Sequence, residues 1–181
     1  MSQSGNKFIK SMSLINLLPQ TIKEELRNKS LLKVISGLNN FEVQSVKRIS
    51  KAASLAGADL IDIACRAELV ESVLEISSLP ICVSSVEPKL FINSVKAGAS
   101  LIEIGNYDTF YEQGITFSDE EVLNLTKETK DLLPNTPLSV TVPHTIPIDQ
   151  QIDLAIKLYN EGVDIIQTEG GTSAKPYSSG I

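Results

Sequence analysis

Gly57-Ala58-Asp59-Leu60-Ile61-Asp62-Ile63, Gly98-Ala99-Ser100-Leu101-Ile102-Glu103-Ile104 and Gly162-Val163-Asp164-Ile165-Ile166-Gln167-Thr168 are one phrase written three times. Each copy opens on a helix-ending glycine, runs into a short apolar strand, and carries a polar side chain five residues after the glycine. Self-similarity of this kind reports architecture, here a β-α-β-α unit. The strands between the copies share a second signature: Leu32-Lys33-Val34-Ile35-Ser36, Ile81-Cys82-Val83-Ser84-Ser85 and Leu138-Ser139-Val140-Thr141-Val142. Odd strands are therefore one kind and even strands another. The interior of an eight-stranded β/α barrel is filled in layers drawn from alternate strands, and a two-strand repeat is the trace such layering leaves. The sequence thus reads as α/β, a (β/α)8 barrel of the TIM type.

Outward from these phrases the elements follow in order. Apolar residues at Met12, Ile15, Leu18, Ile22 and Leu26 keep a helical period interrupted by Pro19, so residues 12–28 predict a broken helix that plugs the bottom of the barrel. Strands are expected at 31–36, 59–65, 81–85, 100–105, 138–142 and 163–168, and helices at about 42–55, 67–77, 88–97, from 118 onward, and 148–160. Asn40 is the expected cap of the 42–55 helix, Pro88 opens the third helix, and Ser118 with Glu121 forms a capping box. Two domain segments result, a helical extension over 1–29 and a partial barrel over 30–181. Six strands fall short of the eight and the roughly 250 residues that such barrels use. The expectation is that two further βα units are missing from this sequence.

Composition bounds the function. Net charge is -6 with one histidine, and no cluster of Lys and Arg offers a nucleic-acid surface. No apolar run approaches the ~18 residues of a membrane span. The first 23 residues carry Lys7, Lys10 and Lys23 with neither acid nor arginine, a poor match to an organellar transit signal. Cys65 and Cys82 lack metal-ligand spacing and read as reduced interior thiols; no metal site is expected, and no motif names a cofactor.

Parity along the strands selects candidate site residues. If the aliphatic side faces the helices, Lys33, Asp62, Cys82, Glu103, Ser139 and Gln167 point inward, with Ile35, Ala64, Ser84, Gly105, Thr141 and Glu169 above them at the carboxyl rim. Buried charges cost several kcal/mol each unless paired, so Lys33, Asp62 and Glu103 are expected as one compensated set. His144 follows strand five at the rim, where barrel active sites sit. Glu169-Gly170-Gly171-Thr172 ends strand six there, and its paired glycines can bring backbone N–H groups close to a phosphate or carboxylate. The catalytic candidates are Lys33, Asp62, Glu103, His144 and Glu169; the ligand-binding candidates are Gln167, Gly170, Gly171, Thr172, Ser84 and Thr141. The loop 106–117 holds Tyr107, Phe110, Tyr111 and Phe117, four of the nine aromatics, and reads as a lid, a contact between copies or a self-packed loop.

Several of these stretches together resemble one family, the uncharacterised plastid and cyanobacterial proteins called hypothetical chloroplast open reading frame twenty-three. They include Leu32 to Phe41, Asp62-Ile63-Ala64-Cys65, Val83 to Pro88, Glu103-Ile104-Gly105-Asn106, Leu138 to Thr145 and Gln167 to Thr172. The resemblance implies an aldolase-type, phosphate-binding barrel located in a plastid or cyanobacterium, with the plastid stroma as the expected place, and members that continue through two more strands and a glycine-rich phosphate site. It implies no reaction.

Two functions are expected from different classes. One is a barrel enzyme or binder of a small anionic, phosphorylated metabolite. Lys33 would hold an anion or carbonyl, Asp62 and Glu103 would move protons, and His144 and Glu169 would complete the rim. The other is a non-catalytic regulatory or scaffolding barrel, with an ion network closed to solvent and no pocket at the rim. Neither a nucleic acid nor a membrane is an expected partner, and a homo-oligomer is left open.

Overall fold

The computed structural model describes residues 13–170. Six parallel strands lie in the order β1-β2-β3-β4-β5-β6. They are β1 (Lys33–Ile35), β2 (Leu60–Ala64), β3 (Ile81–Ser84), β4 (Leu101–Ile104), β5 (Leu138–Val142) and β6 (Ile165–Thr168). The helices are α1 (Gln20–Asn28), α2 (Val43–Leu55), α3 (Ala67–Leu74), α4 (Pro88–Lys96), α5 (Asp108–Tyr111), α6 (Asp119–Leu132) and α7 (Ile148–Asn160).

The glycine phrase sets each helix-to-strand corner. Gly57, Gly98 and Gly162 all have positive φ, and the N–H three residues past the end of each helix reaches back the same way. Ala58 donates to Ala53, Ala99 to Ser94 and Val163 to Leu158, at 3.0, 3.1 and 3.1 Å. Those are Schellman closures, and the buried Ala58, Ala99 and Val163 supply their apolar contact. The aspartates of the phrase add a second tie. Asp59 accepts the Leu32 N–H at 2.8 Å and Asp164 the Leu138 N–H at 3.0 Å, each pinning the start of the neighbouring strand.

Outward-facing Ile61, Ile63, Val83, Ile102, Ile104 and Val140 are buried against the helices in one large core. A second, smaller cluster joins Leu60, Cys82 and Leu101 to Leu18 and Ile22, so the broken amino-terminal helix covers the bottom of the interior. The break is a 3-10 turn over Leu14–Leu17, then Pro19 immediately before α1. Of the residues in that pattern, Met12 lies outside the described residues.

Three local expectations need correction. The cap of α2 is Glu42, whose carboxylate accepts the N–H groups of Gln44 and Ser45. Asn40 instead donates its amide to Ser36 and Ser45, because it sits too far upstream to reach the free N–H groups of the first turn. Strand one pairs only over Lys33–Ile35, since the Leu32 N–H is taken by Asp59. Strand six starts at Ile165.

Candidate active site at the carboxyl rim

The sheet curls, and one lysine measures how far. Lys33 on β1 bonds Asp62 Oδ2 on β2 at 3.3 Å and Glu103 Oε2 on β4 at 2.6 Å. In a flat sheet β1 and β4 would stand three strand spacings apart, about 14 Å. A lysine side chain cannot cross that, so the inward faces converge on a common axis. Lys33, Asp62 and Glu103 form the compensated set read from parity.

Around this ion triad the polar groups are ordered. Ser84 donates to Asp62 at 2.7 and 2.9 Å, and the Asn106 amide reaches the same carboxylate at 3.3 Å. Gln167 donates to Glu103 Oε2 and, at 2.6 Å, to Ser139. Both protein hydrogen bonds to Glu103 therefore arrive at Oε2. Burial pushes the Asp62 carboxyl up, with the nearby Glu103 carboxylate adding to it and Lys33 and Ser84 opposing, to about 6. For Lys33, burial works to lower the pKa, but the surrounding Cys82, Asp62 and Glu103 outweigh it and the net direction is up, so the ammonium stays charged. Burial also raises the Cys82 thiol far above its usual range and the Cys65 thiol to about 11, which keeps both protonated and unreactive. Asp62, Cys82 and Glu103 present ligand atoms within 4.8 Å of one another, a set that could hold a metal ion; here the Lys33 ammonium bonds both carboxylates.

Above the triad, β4 and β5 end in a cavity of about 390 Å³. Glu103, Asn106, Thr141, Gln167 and Glu169 line it, with Asp108 and Thr109 from the aromatic loop. Gly105 keeps it open: a Cβ there would collide with the Thr141 hydroxyl and come within 3.3 Å of Glu103 Oε1. Asn106 sits at φ +60, a left-handed backbone that asparagine tolerates better than most residues, and this turns its amide towards Asp62.

Glu169 anchors a second cluster. Its Oε2 accepts the Tyr111 hydroxyl at 2.8 Å, the His144 N–H at 3.0 Å and meets His144 Nδ1 at 2.7 Å. The Tyr111 ring meets the His144 ring edge-on at 5.1 Å. His144 thus stands behind Glu169 and outside the cavity lining. Ser84 likewise acts through Asp62 rather than on the cavity. Gly170 lines the cavity, while Gly171 and Thr172 lie outside the described residues.

The loop 106–117 packs on itself. Tyr107 is fully buried, its hydroxyl bonds the Thr141 carbonyl at 3.1 Å, and Phe117 stacks against it at 4.8 Å. Asn106, Asp108 and Thr109 are site residues that sequence reasoning did not select, and Tyr111 was selected only as an aromatic of the 106–117 loop, not as a partner of Glu169. The signal for Asn106 was its place directly after the inward Gly105; for Tyr111 it was only the aromatic density of the loop.

A curled parallel β/α sheet with its helices on the outer face and a cavity at its carboxyl end is the architecture of six strands of a β/α barrel of the TIM type. The chain covers 90% of itself and 70% of a deoxyribose phosphate aldolase from Aeropyrum pernix, with TM-score 0.58 and 15% identity. It also matches a truncated 3-deoxy-D-arabino-heptulosonate 7-phosphate synthase from Thermotoga maritima, with TM-score 0.54, 12% identity, and coverage of 76% of this chain and 50% of that one. These likenesses show the fold. The chain belongs to the family described as "Protein of unknown function (DUF561)", whose profile matches residues 17–181. Relatives include the uncharacterized protein ycf23 of Cyanophora paradoxa, 54% identical over 146 residues, covering 80% of this chain and 60% of that one. Another is the ycf23 protein of Pyropia yezoensis, 42% identical over 157 residues, covering 87% and 58%. The chain spans about 60% of the length of the curated relatives it matches.

Proposed function

We propose that the chain is the proton-handling part of a barrel enzyme acting on a small carbonyl-bearing metabolite in the rim cavity. The observation that carries this reading is Glu103: its side chain is 2% exposed, Lys33 backs it at 2.6 Å through Oε2, and it lines the cavity. Glu103 Oε1 would take the proton from the carbon next to the carbonyl. The C–H electron pair then moves into an enolate, whose oxygen the Thr141 hydroxyl and Asn106 amide would meet. Lys33 holds Glu103 in place and in charge balance, and Asp62, titrating near neutral pH behind it, tunes that balance. An anionic or phosphorylated end of the metabolite would be met by the backbone at Gly170 and by the Asn106 and Thr109 side chains of the lining, away from the carboxylates of Glu103 and Glu169. The experiment is solvent-deuterium exchange, followed by proton NMR, across small phosphorylated hydroxyketones and aldehydes. Exchange that Glu103→Gln abolishes supports the reading; absence of exchange across the panel, or exchange that survives the substitution, ends it.

The non-catalytic scaffolding barrel is the second reading. It is favoured by Ile148, Ile152, Ile156 and Tyr159, which form an exposed apolar stripe along α7, each more than half exposed. The rim cavity weighs against it. Family membership supports a plastid location, and the stroma is its finer form.

A further inference from the structure

The carboxyl rim carries a second cavity, of about 130 Å³, by the ends of β1, β2 and β3. Leu38 is the lining residue it shares with the cavity above Glu103, so the two lie side by side. Among its described lining residues the one cation is Arg66, two positions past β2. The Arg66 guanidinium stands over the Phe41 ring, 4.9 Å from the centroid, and Phe41 and Cys65 line the same cavity, so the charged end sits at its wall. Stacking on a ring fixes the plane of a guanidinium without using its N–H groups. Nη1 reaches the Cys65 carbonyl at a long 3.4 Å, and no ion pair among the described residues includes Arg66. The fork is thus held in place with most of its donors unspent. The other polar side chains of the lining are engaged or in water. Ser84 donates to Asp62 at 2.7 Å, Ser85 Oγ accepts the Glu87 N–H at 2.9 Å, the Cys65 thiol meets Ser94 at 3.3 Å, and Asn39 and Glu87 are exposed.

The rest of the lining is apolar: Leu38, Phe41, Val86, Leu90 and Phe110. A neutral apolar molecule would cover these walls but leave the guanidinium, cut off from water, without an acceptor. Inorganic phosphate would pair with Arg66 and gain nothing from the walls, and as a dianion it would be repelled by Glu87 about twice as strongly as a monoanion. A carboxylate on a small apolar body answers both halves of the lining. Its two oxygens match the planar fork, and its body removes the walls from water. We infer that the second cavity binds a small carboxylate carried on an apolar group, its oxygens accepting from the Arg66 guanidinium. The inference goes beyond the proton-transfer reading, whose substrate lies in the other cavity, and does not rest on it.

The test compares benzoate with benzamide, alike in shape and differing in charge, on the 181-residue chain at neutral pH. Thermal unfolding and ligand-detected NMR read the binding. Benzoate should bind at least about tenfold tighter than benzamide, the margin a charge-assisted bidentate pair supplies. Arg66→Gln should erase that preference while leaving the circular dichroism unchanged. Arg66→Lys, which keeps the charge and loses the fork, should reduce it and serves as the second variant if Arg66→Gln fails to fold. Equal binding of the two probes, a preference undiminished in the folded Arg66 variants, or tighter binding of inorganic phosphate than of benzoate overturns the inference. Glu103→Gln, which should abolish deuterium exchange, should leave benzoate binding as it is. Loss of benzoate binding in that variant would put the probe in the first cavity and overturn the inference. Benzoate binding at Arg66 without any exchange would keep the inference and remove the proton-transfer reading; exchange without benzoate binding would do the reverse.

Discussion

Lys33 neutralises two buried carboxylates at once, and its removal has a definite sign. Lys33→Met leaves Asp62 and Glu103 facing each other without a cation. Breaking a buried ion pair from one side costs roughly 3–5 kcal/mol, so urea unfolding at pH 7 should show a loss of that order. Adding Glu103→Gln to the same chain should recover part of it, because one buried charge then disappears. Asp62 carries a separate prediction. Its folded pKa is raised from 3.8 to about 6, so between those values the folded chain holds a proton that the unfolded chain has released. Stability contributed by Asp62 is therefore present below about pH 4 and lost as pH rises through about 6. The size is on the order of 3 kcal/mol at about 1.4 kcal/mol per pKa unit. Subtracting the stability–pH curve of Asp62→Asn from that of the parent should isolate this falling segment; a flat difference would contradict it.

At the scale of elements, the repeated corner is where sequence and structure agree most closely. The glycine of each phrase was legible because a left-handed helix exit followed by an apolar strand leaves no other residue type comfortable. At Gly57 a Cβ would meet nothing within 4 Å, so Gly57→Ala isolates backbone strain alone. It should cost about 1–2 kcal/mol in thermal or urea unfolding. Gly105→Ala is a different experiment, since the added methyl collides with Thr141. Overpacking of about 1–3 kcal/mol is expected, with loss of any ligand bound above Glu103. Strand parity was legible for the same local reason: a period of two, once anchored by Ile61 and Ile63, fixes Asp62 on the opposite face. What was not legible is pairing across 25 residues between His144 and Glu169, or the Asn106 amide turning back to Asp62 across two strands. Those depend on how far the sheet curls. The Asn40 cap failed because Glu42 reaches the same N–H groups from a nearer position.

For the whole molecule, β1 and β6 each pair on one side only among the described residues. Unpaired strand edges and exposed apolar faces favour association. The α7 stripe of Ile148, Ile152, Ile156 and Tyr159 lies on the β6 side of this sheet, and Leu32 and Ile35 are half-exposed on the β1 side. The 181-residue chain should therefore self-associate with rising concentration in sedimentation velocity. Ile152→Glu with Ile156→Glu should shift it towards monomer without changing its circular dichroism. The order of strands and the inward layer were readable from the triple phrase, whereas the cavity was not, because its walls come from loop residues 106–109 and the end of β6 acting together.

Underlying all three scales is a buried acid set sharing one ammonium on the axis of a curled sheet. Carbon-13 NMR titration of the Asp62 carboxyl reads that arrangement directly. The account predicts a midpoint near 6 that rises further in Lys33→Met, where the opposing cation is gone. A midpoint at the ordinary 3.8, unmoved by the lysine substitution, would contradict it.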